Sequence, residues 1–298
     1  MITCIGHITH DRIITPAETV MMPGGTAYYV AHGIHSINEC LKADGKPTVP
    51  FRLITSVADD AMDAVEEMRA KGLDVAVIPS AETVFFENRY GADSNQRTQA
   101  VLAKAEPFRW NDLKTRIVPS DRREDMYFIL GSLLADDFAV DVVRELHQRG
   151  IVALDAQGFL REVIGKDVVA CLWQNMSDYF KHIDILKLNE EEALVLTDIA
   201  DTKKAALQIH AMGISEVLLT LGSEGSIIVN DDAMYEVAAV PVSNAVDATG
   251  CGDTFLMAYV CQRAQGADAT SAAAFAAWCS AEKLKGHGHL DVSTLPVT

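Results

Sequence analysis

Short apolar runs alternate along most of this chain with longer segments whose apolar residues recur at every third or fourth position. The first pattern predicts buried strands, and the second predicts helices with one face against a core. The predicted strands are residues 1–6, 51–57, 73–78, 126–130, 151–154, 183–188, 217–220, 226–229 and 234–237, and the predicted helices are 26–37, 61–71, 136–149, 191–196, 202–212, 249–265 and 268–285. Such alternation indicates an α/β fold with a central, mostly parallel sheet and helices on both faces.

Two segments depart from this alternation. Residues 83–90 and 97–103 alternate between polar and apolar positions and flank a turn-like sequence at 91–95, a pattern typical of a hairpin with one exposed face. With residues 13–20, they would form a small sheet that stands off the main one. We therefore expect one domain over residues 1–298, with a small β-sheet lid from about 12–23 and 83–105 inserted in it.

Charge and hydropathy narrow the partners that we expect. The 298 residues include 25 Lys and Arg against 42 Asp and Glu, a net charge of −17, which would repel a nucleic acid. No apolar run approaches the ~18 residues of a membrane span, and residues 1–6 resemble a first strand more than a signal peptide. We expect a cytoplasmic protein that binds neither nucleic acid nor membrane.

The strongest chemical signal is a glycine turn before the helix predicted at 249–265. Gly250 and Gly252 flank Cys251, and Asp253 follows directly. Two glycines let the backbone approach a ligand closely, and the unpaired N–H groups of a helix start attract an anion. A carboxylate beside a bound phosphoryl group is placed to accept a hydroxyl proton.

Other interpretations of this turn remain open from spacing alone. Asp253 would serve equally as a helix cap, with the glycines forming a tight turn. The dinucleotide fingerprint Gly-x-Gly-x-x-Gly is disfavoured because Phe255 stands at the third glycine position and the turn does not open a first βαβ unit. The chain also has no Gly-x-x-x-x-Gly-Lys-[Ser/Thr] sequence, which excludes a P-loop enzyme.

The segment from Asp247 to Asp253 resembles the Asp-Thr-x-Gly-Ala-Gly-Asp signature of the ribokinase-like, or PfkB, carbohydrate kinases. The likeness extends over nearly the whole chain. Residues 189–192 resemble the family's Asn-x-x-Glu motif, 220–225 its nucleotide loop, Gly24 and Gly25 the di-glycine that closes the substrate pocket and hinges the lid, and Asp11 the acidic residue that binds substrate hydroxyls. The resemblance implies a ribokinase-like fold.

The resemblance also implies a role for each matched residue. Asp253 would be the catalytic base, and the amides of Gly250, Cys251 and Gly252 would form the anion hole. Glu192 would position Mg²⁺ through water. The nucleotide would be bound by Asn189, Thr220, Gly222 and Gly225. The substrate would be bound by Asp11, Gly24, Gly25 and Tyr29. Taken singly, Asn189 with Glu192 is also a helix N-cap, and each glycine pair a turn.

The chain departs from the family pattern at two positions. Cys251 stands where alanine is usual, and we expect the helix start to lower its thiol pKa, which makes the site a candidate for thiol reagents. Tyr29 stands where many sugar kinases have asparagine, so the substrate contacts differ from those of a standard ribokinase. The segments 6–13 and 24–29 look closer to inositol-kinase-like members than to fructokinases.

The resemblance therefore predicts an enzyme that transfers the γ-phosphoryl group of ATP to a hydroxyl of a sugar or polyol, using Mg²⁺. Two alternatives remain: a nucleoside kinase, and a ligand-binding protein that kept the fold without the transfer. Relatives carry a monovalent cation near the anion loop, and we treat this ion as a further candidate cofactor. A homodimer through the small sheet is also open.

Overall fold

The computed structural model describes residues 1–16, 18–90 and 97–296. The turn predicted at 91–95, which belongs to the expected lid segment, lies outside the described residues. Within them the strands are β1 (Ile2–Gly6), β2 (Thr9–Ile14), β3 (Thr19–Gly24), β4 (Phe51–Val57), β5 (Val75–Pro79), β6 (Val84–Tyr90), β7 (Arg97–Ala103), β8 (Tyr127–Gly131), β9 (Ile151–Asp155), β10 (Arg161–Ile164), β11 (Asp167–Ala170), β12 (Ile185–Asn189), β13 (Glu216–Thr220), β14 (Ser226–Val229) and β15 (Met234–Val237).

The helices of the same residues are α1 (Gly25–Ala43), α2 (Met62–Ala70), α3 (Trp110–Leu113), α4 (Val140–His147), α5 (Met176–Phe180), α6 (Glu190–Thr197), α7 (Thr202–Ala211), α8 (Cys251–Ala264) and α9 (Ala269–Leu284). Of these helices, none is both long enough and apolar enough to cross a bilayer. α4 begins later than the helix predicted from residue 136. Asp137 Oδ2 accepts hydrogen bonds from the amides of Leu133 and Leu134, at 2.6 and 3.1 Å, and this turn delays the helix.

Nine of the described strands form one large sheet, in the order β15-β14-β13-β12-β9-β8-β1-β4-β5. Pairing is parallel from β13 through β5, whereas β14 and β15 add an antiparallel edge. The predicted α/β architecture is thus confirmed.

Helices cover both faces of this sheet, because alternate strand residues point to opposite sides. In β1, Ile2 packs into a core formed with α1, α2, α8 and α9. Ile5 packs into a second core, formed with α4, α6 and α7. Both cores are built from side chains that are almost fully buried.

A second sheet has the order β10-β11-β7-β6-β2-β3 among the described residues. Four of its strands arise from the segments where the sequence predicts a small sheet. The sequence analysis missed the hairpin β10–β11, which pairs from Arg161↔Ala170 to Ile164↔Asp167 around Gly165. Each of the two strands has only four residues, and half of these residues are exposed. Such a strand is too short for a strand-like pattern of apolar residues to be recognised in the sequence.

Candidate active site

The carboxyl ends of the parallel strands bring polar residues to one edge of the large sheet, the usual place for a ligand in an open α/β sheet. β9 ends at Asp155, β12 at Asn189 and β13 at Thr220. In the sheet register, Lys187 is opposite Asp155 and Asn189 is opposite Thr220. Residues far apart in sequence therefore become neighbours here.

The glycine turn opens α8 close to this edge. Gly250 has φ +77°, and a Cβ there would overlap the ring of Tyr29, so conformation and space both require glycine. A Cβ on Gly252 would lie 2.6 Å from Lys187 Nζ. The Cys251 amide already donates to Ala248 O at 3.1 Å, so one of the three predicted anion-hole amides has a protein partner.

Asp253, in the first turn of α8, is surrounded by charged and polar groups. Burial away from bulk water and, after it, the Asp155 carboxylate raise the pKa of this carboxyl to about 6. A hydrogen bond from the Thr26 hydroxyl and the positive charges of Lys187 and Arg161 act in the opposite direction. The side chain is therefore ionised at neutral pH, but basic enough to accept a proton.

A buried ion pair lies beside Asp253. Lys187 Nζ is 2.8 Å from Asp155 Oδ2, and the two side chains are only 6% and 7% exposed. Burial alone would lower the pKa of Lys187, but Asp155, Glu192 and Asp253 outweigh burial and raise it. The ammonium group is thus a fixed positive charge at the start of α8.

Asn189 and Glu192 form a reciprocal cap at the start of α6. The Asn189 side chain accepts from the Glu192 amide, and Glu192 Oε2 accepts from the Asn189 amide, both at 2.8 Å. Burial, followed by the charge of Asp155, raises the pKa of Glu192. The capping interpretation of this motif is therefore correct, and it leaves the family role of both residues open.

The residues present fit a hydrated Mg²⁺ better than a fully liganded one. In the described part of the chain, no group of three or more His, Cys, Asp or Glu side chains is arranged to hold a metal. However, the carboxylates of Asp155, Glu192 and Asp253 all raise the pKa of Lys187, and these three anions outnumber the two cations, Lys187 and Arg161, that act on Glu192 and Asp253. This excess of negative charge favours a divalent cation that keeps its waters and is held mainly by phosphate oxygens.

The predicted substrate residues meet where the small sheet joins α1. Gly24 ends β3 and Gly25, with φ +83°, begins α1. A Cβ on Gly24 would lie 2.8 Å from Asp11 Cγ, so the glycine permits close packing of the carboxylate. Asp11 Oδ1 accepts a hydrogen bond of 2.7 Å from the Thr9 hydroxyl.

Tyr29 lies between the substrate residues and the glycine turn. The residue is 2% exposed, and its ring occupies the space that a Cβ on Gly250 would need. Burial raises the pKa of its hydroxyl, and the charges of Asp11 and Asp253 raise it further, so both carboxylates lie near this ring. The Tyr29 ring packs against the glycine turn at Gly250, and the contact of Tyr29 with substrate stays a prediction.

The predicted nucleotide loop follows β13. Thr220 donates to Leu188 O at 3.3 Å, which ties the end of β13 to β12. Gly222 and Gly225 have φ +55° and +102°, and a Cβ on Gly225 would overlap Val237 O. These glycines therefore shape the turn into β14, and their contact with a nucleotide stays a prediction.

The thiol of Cys251 differs from its expected state. Burial raises its pKa to about 11, and the carboxylates of Asp247 and Asp253 oppose the lowering effect of Lys283. The Sγ atom lies 3.8 Å from Ser280 O on α9. The predicted lowering of the thiol pKa is therefore wrong, because burial outweighs the helix start.

Sequence reasoning missed Lys187 and Thr26. Lys187 interrupts the apolar run of β12, and a charged residue inside a buried strand was the available signal. Thr26 gave no signal, because its contact with Asp253 depends on how α1 packs against α8.

Comparison with known proteins identifies relatives of this chain. The profile of the pfkB family carbohydrate kinases matches residues 3–294. The cytidine kinase of Thermococcus kodakarensis is 25% identical over 264 residues, which cover 84% of each chain.

Two solved structures are similar over nearly their full lengths. A pyrophosphate-dependent kinase of the ribokinase family has a TM-score of 0.84 and 25% identity, with 97% of each chain covered. Ribokinase from Thermotoga maritima has a TM-score of 0.72 and 20% identity, with 99% of this chain and 96% of that one covered. The ribokinase-like fold is thereby confirmed, and the match over residues 3–294 shows that this chain belongs to the pfkB family of carbohydrate kinases.

Proposed function

We propose that this protein transfers a phosphoryl group from ATP to a hydroxyl of a sugar or polyol, with Asp253 as the general base. The observation that carries the proposal is the position of Asp253, in the first turn of a helix that starts at a glycine turn and beside the buried ammonium of Lys187. A base, amide donors and a fixed cation are what the transfer needs.

Each part of the site has a task in this proposal. Asp253 takes the proton from the substrate hydroxyl as the phosphorus–oxygen bond forms. Gly250, Cys251 and Gly252 supply backbone donors to the developing negative charge, with the Cys251 amide giving up its bond to Ala248 or sharing it. Lys187 adds positive charge beside Gly252. Mg²⁺, held through water by Glu192 and Asn189, would neutralise the donor phosphates.

Pyrophosphate is the alternative to ATP as the phosphoryl donor. A structural relative with a TM-score of 0.84 and 25% identity is a pyrophosphate-dependent kinase. ATP and pyrophosphate both present a phosphoryl group next to a phosphate leaving group, so the base and glycine turn suit either. With ATP, Thr220, Gly222 and Gly225 would line the nucleotide, whereas pyrophosphate would leave that loop without a contact.

The acceptor also has an alternative. Asp11, Gly24, Gly25 and Tyr29 form a compact polar corner, and a carboxylate suits vicinal hydroxyls, which sugars, polyols and nucleoside riboses all carry. The similarity to a cytidine kinase favours a nucleoside as the second candidate. We propose that the small sheet closes over the bound acceptor, turning at Gly24 and Gly25, and excludes water.

A donor and acceptor matrix tests the proposal. ATP and pyrophosphate, each with Mg²⁺, would be combined with pentoses, hexoses, inositols and nucleosides, and phosphorylated products would be detected by ³¹P NMR. We expect product with one donor and one acceptor class. A phosphorylated nucleoside would show that the acceptor is a nucleoside. Product formed with pyrophosphate would show that pyrophosphate is the donor. Ligand binding in calorimetry without product in any combination would favour a protein that has lost the transfer.

A further inference from the structure

A lysine is buried beneath the loop that leads into the glycine turn. Lys283 lies in the last turn of α9, and its side chain is 0% exposed. Its Nζ donates to the backbone O of Asp247 at 2.7 Å and lies 3.4 Å from Oδ2 of the same residue. A buried ammonium is stable only when it is paired, so this contact holds Asp247 against α9.

The contact is transmitted to the turn through a short chain of hydrogen bonds. Asp247 Oδ1 accepts from the Thr249 amide at 2.9 Å, and Gly250 is the next residue. The Val246 amide donates to Leu284 O at 2.8 Å, which attaches the start of the same loop to the end of α9. The position of the glycine turn thus depends on a carboxylate whose charge Lys283 balances.

The groups that face Lys283 Nζ would also attract a small monovalent cation. One carbonyl oxygen and one carboxylate oxygen face it, and the ring of Tyr29 lies 6.0 Å away. Oxygen ligands and an aromatic face stabilise an ammonium and a bare potassium ion by the same electrostatics. The same ring packs against Gly250, so one side of the turn rests on Tyr29 and the other is held through Asp247.

We propose that Lys283 is a positioning residue that acts as a built-in monovalent cation for the phosphoryl-transfer site. Its ammonium fixes residues 247–249, so that the amides of 250–252 stay directed at the transferring phosphate without an added ion. This inference rests on the proposed transfer reaction only for its kinetic consequence. It also predicts that the wild-type protein needs no added monovalent cation.

The kinetic test compares salts at constant ionic strength. Wild-type turnover is expected to be the same in potassium, ammonium and tetramethylammonium chloride. In tetramethylammonium, Lys283→Ala is expected to lower kcat by about 10- to 100-fold, because a displacement near 1 Å costs about that much. Potassium or ammonium, which fit the vacated space, should restore at least a third of the loss on a logarithmic scale. The KM for the acceptor should change less than kcat.

A second test needs no activity. The melting temperature of Lys283→Ala is expected to rise in potassium or ammonium relative to tetramethylammonium, because an ion that binds only the folded state stabilises it. The wild-type melting temperature is expected to be the same in all three salts. The matched control is Lys285→Ala, at the end of the same helix, where the lysine is 51% exposed and pairs with Glu282. This control should behave as the wild type does.

Four results would overturn the proposal, the last of them a Lys283→Ala variant that folds in none of the three salts. One is a wild-type enzyme that requires potassium. Another is a folded Lys283→Ala variant with unchanged turnover. The third is a Lys283→Ala variant whose melting temperature is the same in ammonium and tetramethylammonium. If the donor and acceptor matrix yields no product, the melting experiment still decides on the cation site, so the two proposals fail separately. If Lys283→Ala does not fold in tetramethylammonium, folding in ammonium or potassium supports the proposal, and failure in every salt contradicts it.

Discussion

The groups around Asp253 determine the pKa of its carboxyl group. Burial raises the pKa of its carboxyl to about 6, whereas the Thr26 hydroxyl stabilises the charged form by a hydrogen bond. A base must be deprotonated to act, so kcat/KM should be constant above this pKa and fall as the pH drops through about 6. At neutral pH the Asp253 carboxyl is therefore mostly ionised, and it is still basic enough to accept the proton of a substrate hydroxyl.

Thr26→Val removes that hydrogen bond and keeps the shape of the side chain. The pKa of Asp253 should rise, because the charged form loses a donor, and the acid limb of the kcat/KM profile should move upward. We expect a movement of about one pH unit, since a hydrogen bond to a charged group contributes roughly 1.5 kcal/mol. A profile measured from pH 5 to 9 checks this. An unchanged or lower midpoint would show that Asp253 does not control the acid limb.

Lys187 and Asp155 are expected to behave as one unit. Lys187→Met leaves the Asp155 carboxylate buried without its cation, which should lower the free energy of unfolding by about 3–5 kcal/mol. Adding Asp155→Asn removes the stranded charge, so the double variant should regain much of that stability. Denaturant unfolding of both variants measures the coupling. Simple addition of the two single effects would contradict the pairing.

At the scale of elements, the order of strands and helices could be predicted from periodicity, but the contacts between them could not. The large sheet follows from buried runs such as Phe51–Val57, which the structure reproduces residue for residue. The pair of Lys187 with Asp155 joins residues 32 positions apart, and no local pattern encodes it. The start of α8 was predicted because its glycines are a local signal, whereas Lys283 became part of the site only when α9 packed against the loop.

The glycine turn itself can be tested by comparing two glycines of the same backbone class. Gly250 and Gly45 both have a positive φ, at +77° and +67°, but only Gly250 packs against a ring, whereas a Cβ on Gly45 would meet open space. Alanine at either position should lower the free energy of unfolding by roughly 1–2 kcal/mol from the left-handed conformation. Gly250→Ala should also reduce kcat by on the order of 10²-fold, because the amides are displaced.

The Gly45→Ala variant provides the control for this comparison. Its turnover should equal that of the wild type, since Gly45 follows the end of α1. Thermal unfolding of both variants measures the loss of stability from backbone strain, and steady-state kinetics measures the loss of turnover. Equal losses of kcat in the two variants would mean that the turn acts only through stability.

At the scale of the whole molecule, the two sheets divide the work that we propose. The large sheet carries Asp155, Lys187 and Asn189 at its carboxyl edge, and the small sheet carries Asp11. The sequence predicted the small sheet from alternating segments but missed the hairpin that carries Arg161, which acts with Lys187 to lower the pKa of Asp253. A short exposed hairpin becomes ordered through its pairing with β7, which is a tertiary effect.

The edge of the small sheet is also where we propose that a second copy of the chain binds. β3 is an edge strand, and its Val20 and Met21 side chains are 39% and 54% exposed. Exposed apolar edge strands favour pairing with another chain. Sedimentation velocity should show a wild-type dimer that Met21→Lys weakens. A wild-type monomer at all concentrations would exclude this interface.

The central claim is that Asp253 accepts the substrate proton during phosphoryl transfer. The most direct measurement is the single-turnover rate of product formation by the wild type and by Asp253→Asn, with the best donor and acceptor and with both proteins shown to be folded and to bind substrate. Asparagine can still accept the hydrogen bond from Thr26 but cannot take a proton at neutral pH. We predict a decrease of about 10²–10⁴-fold in the transfer rate, with substrate affinity changed far less. An equal transfer rate in the two proteins would contradict the account.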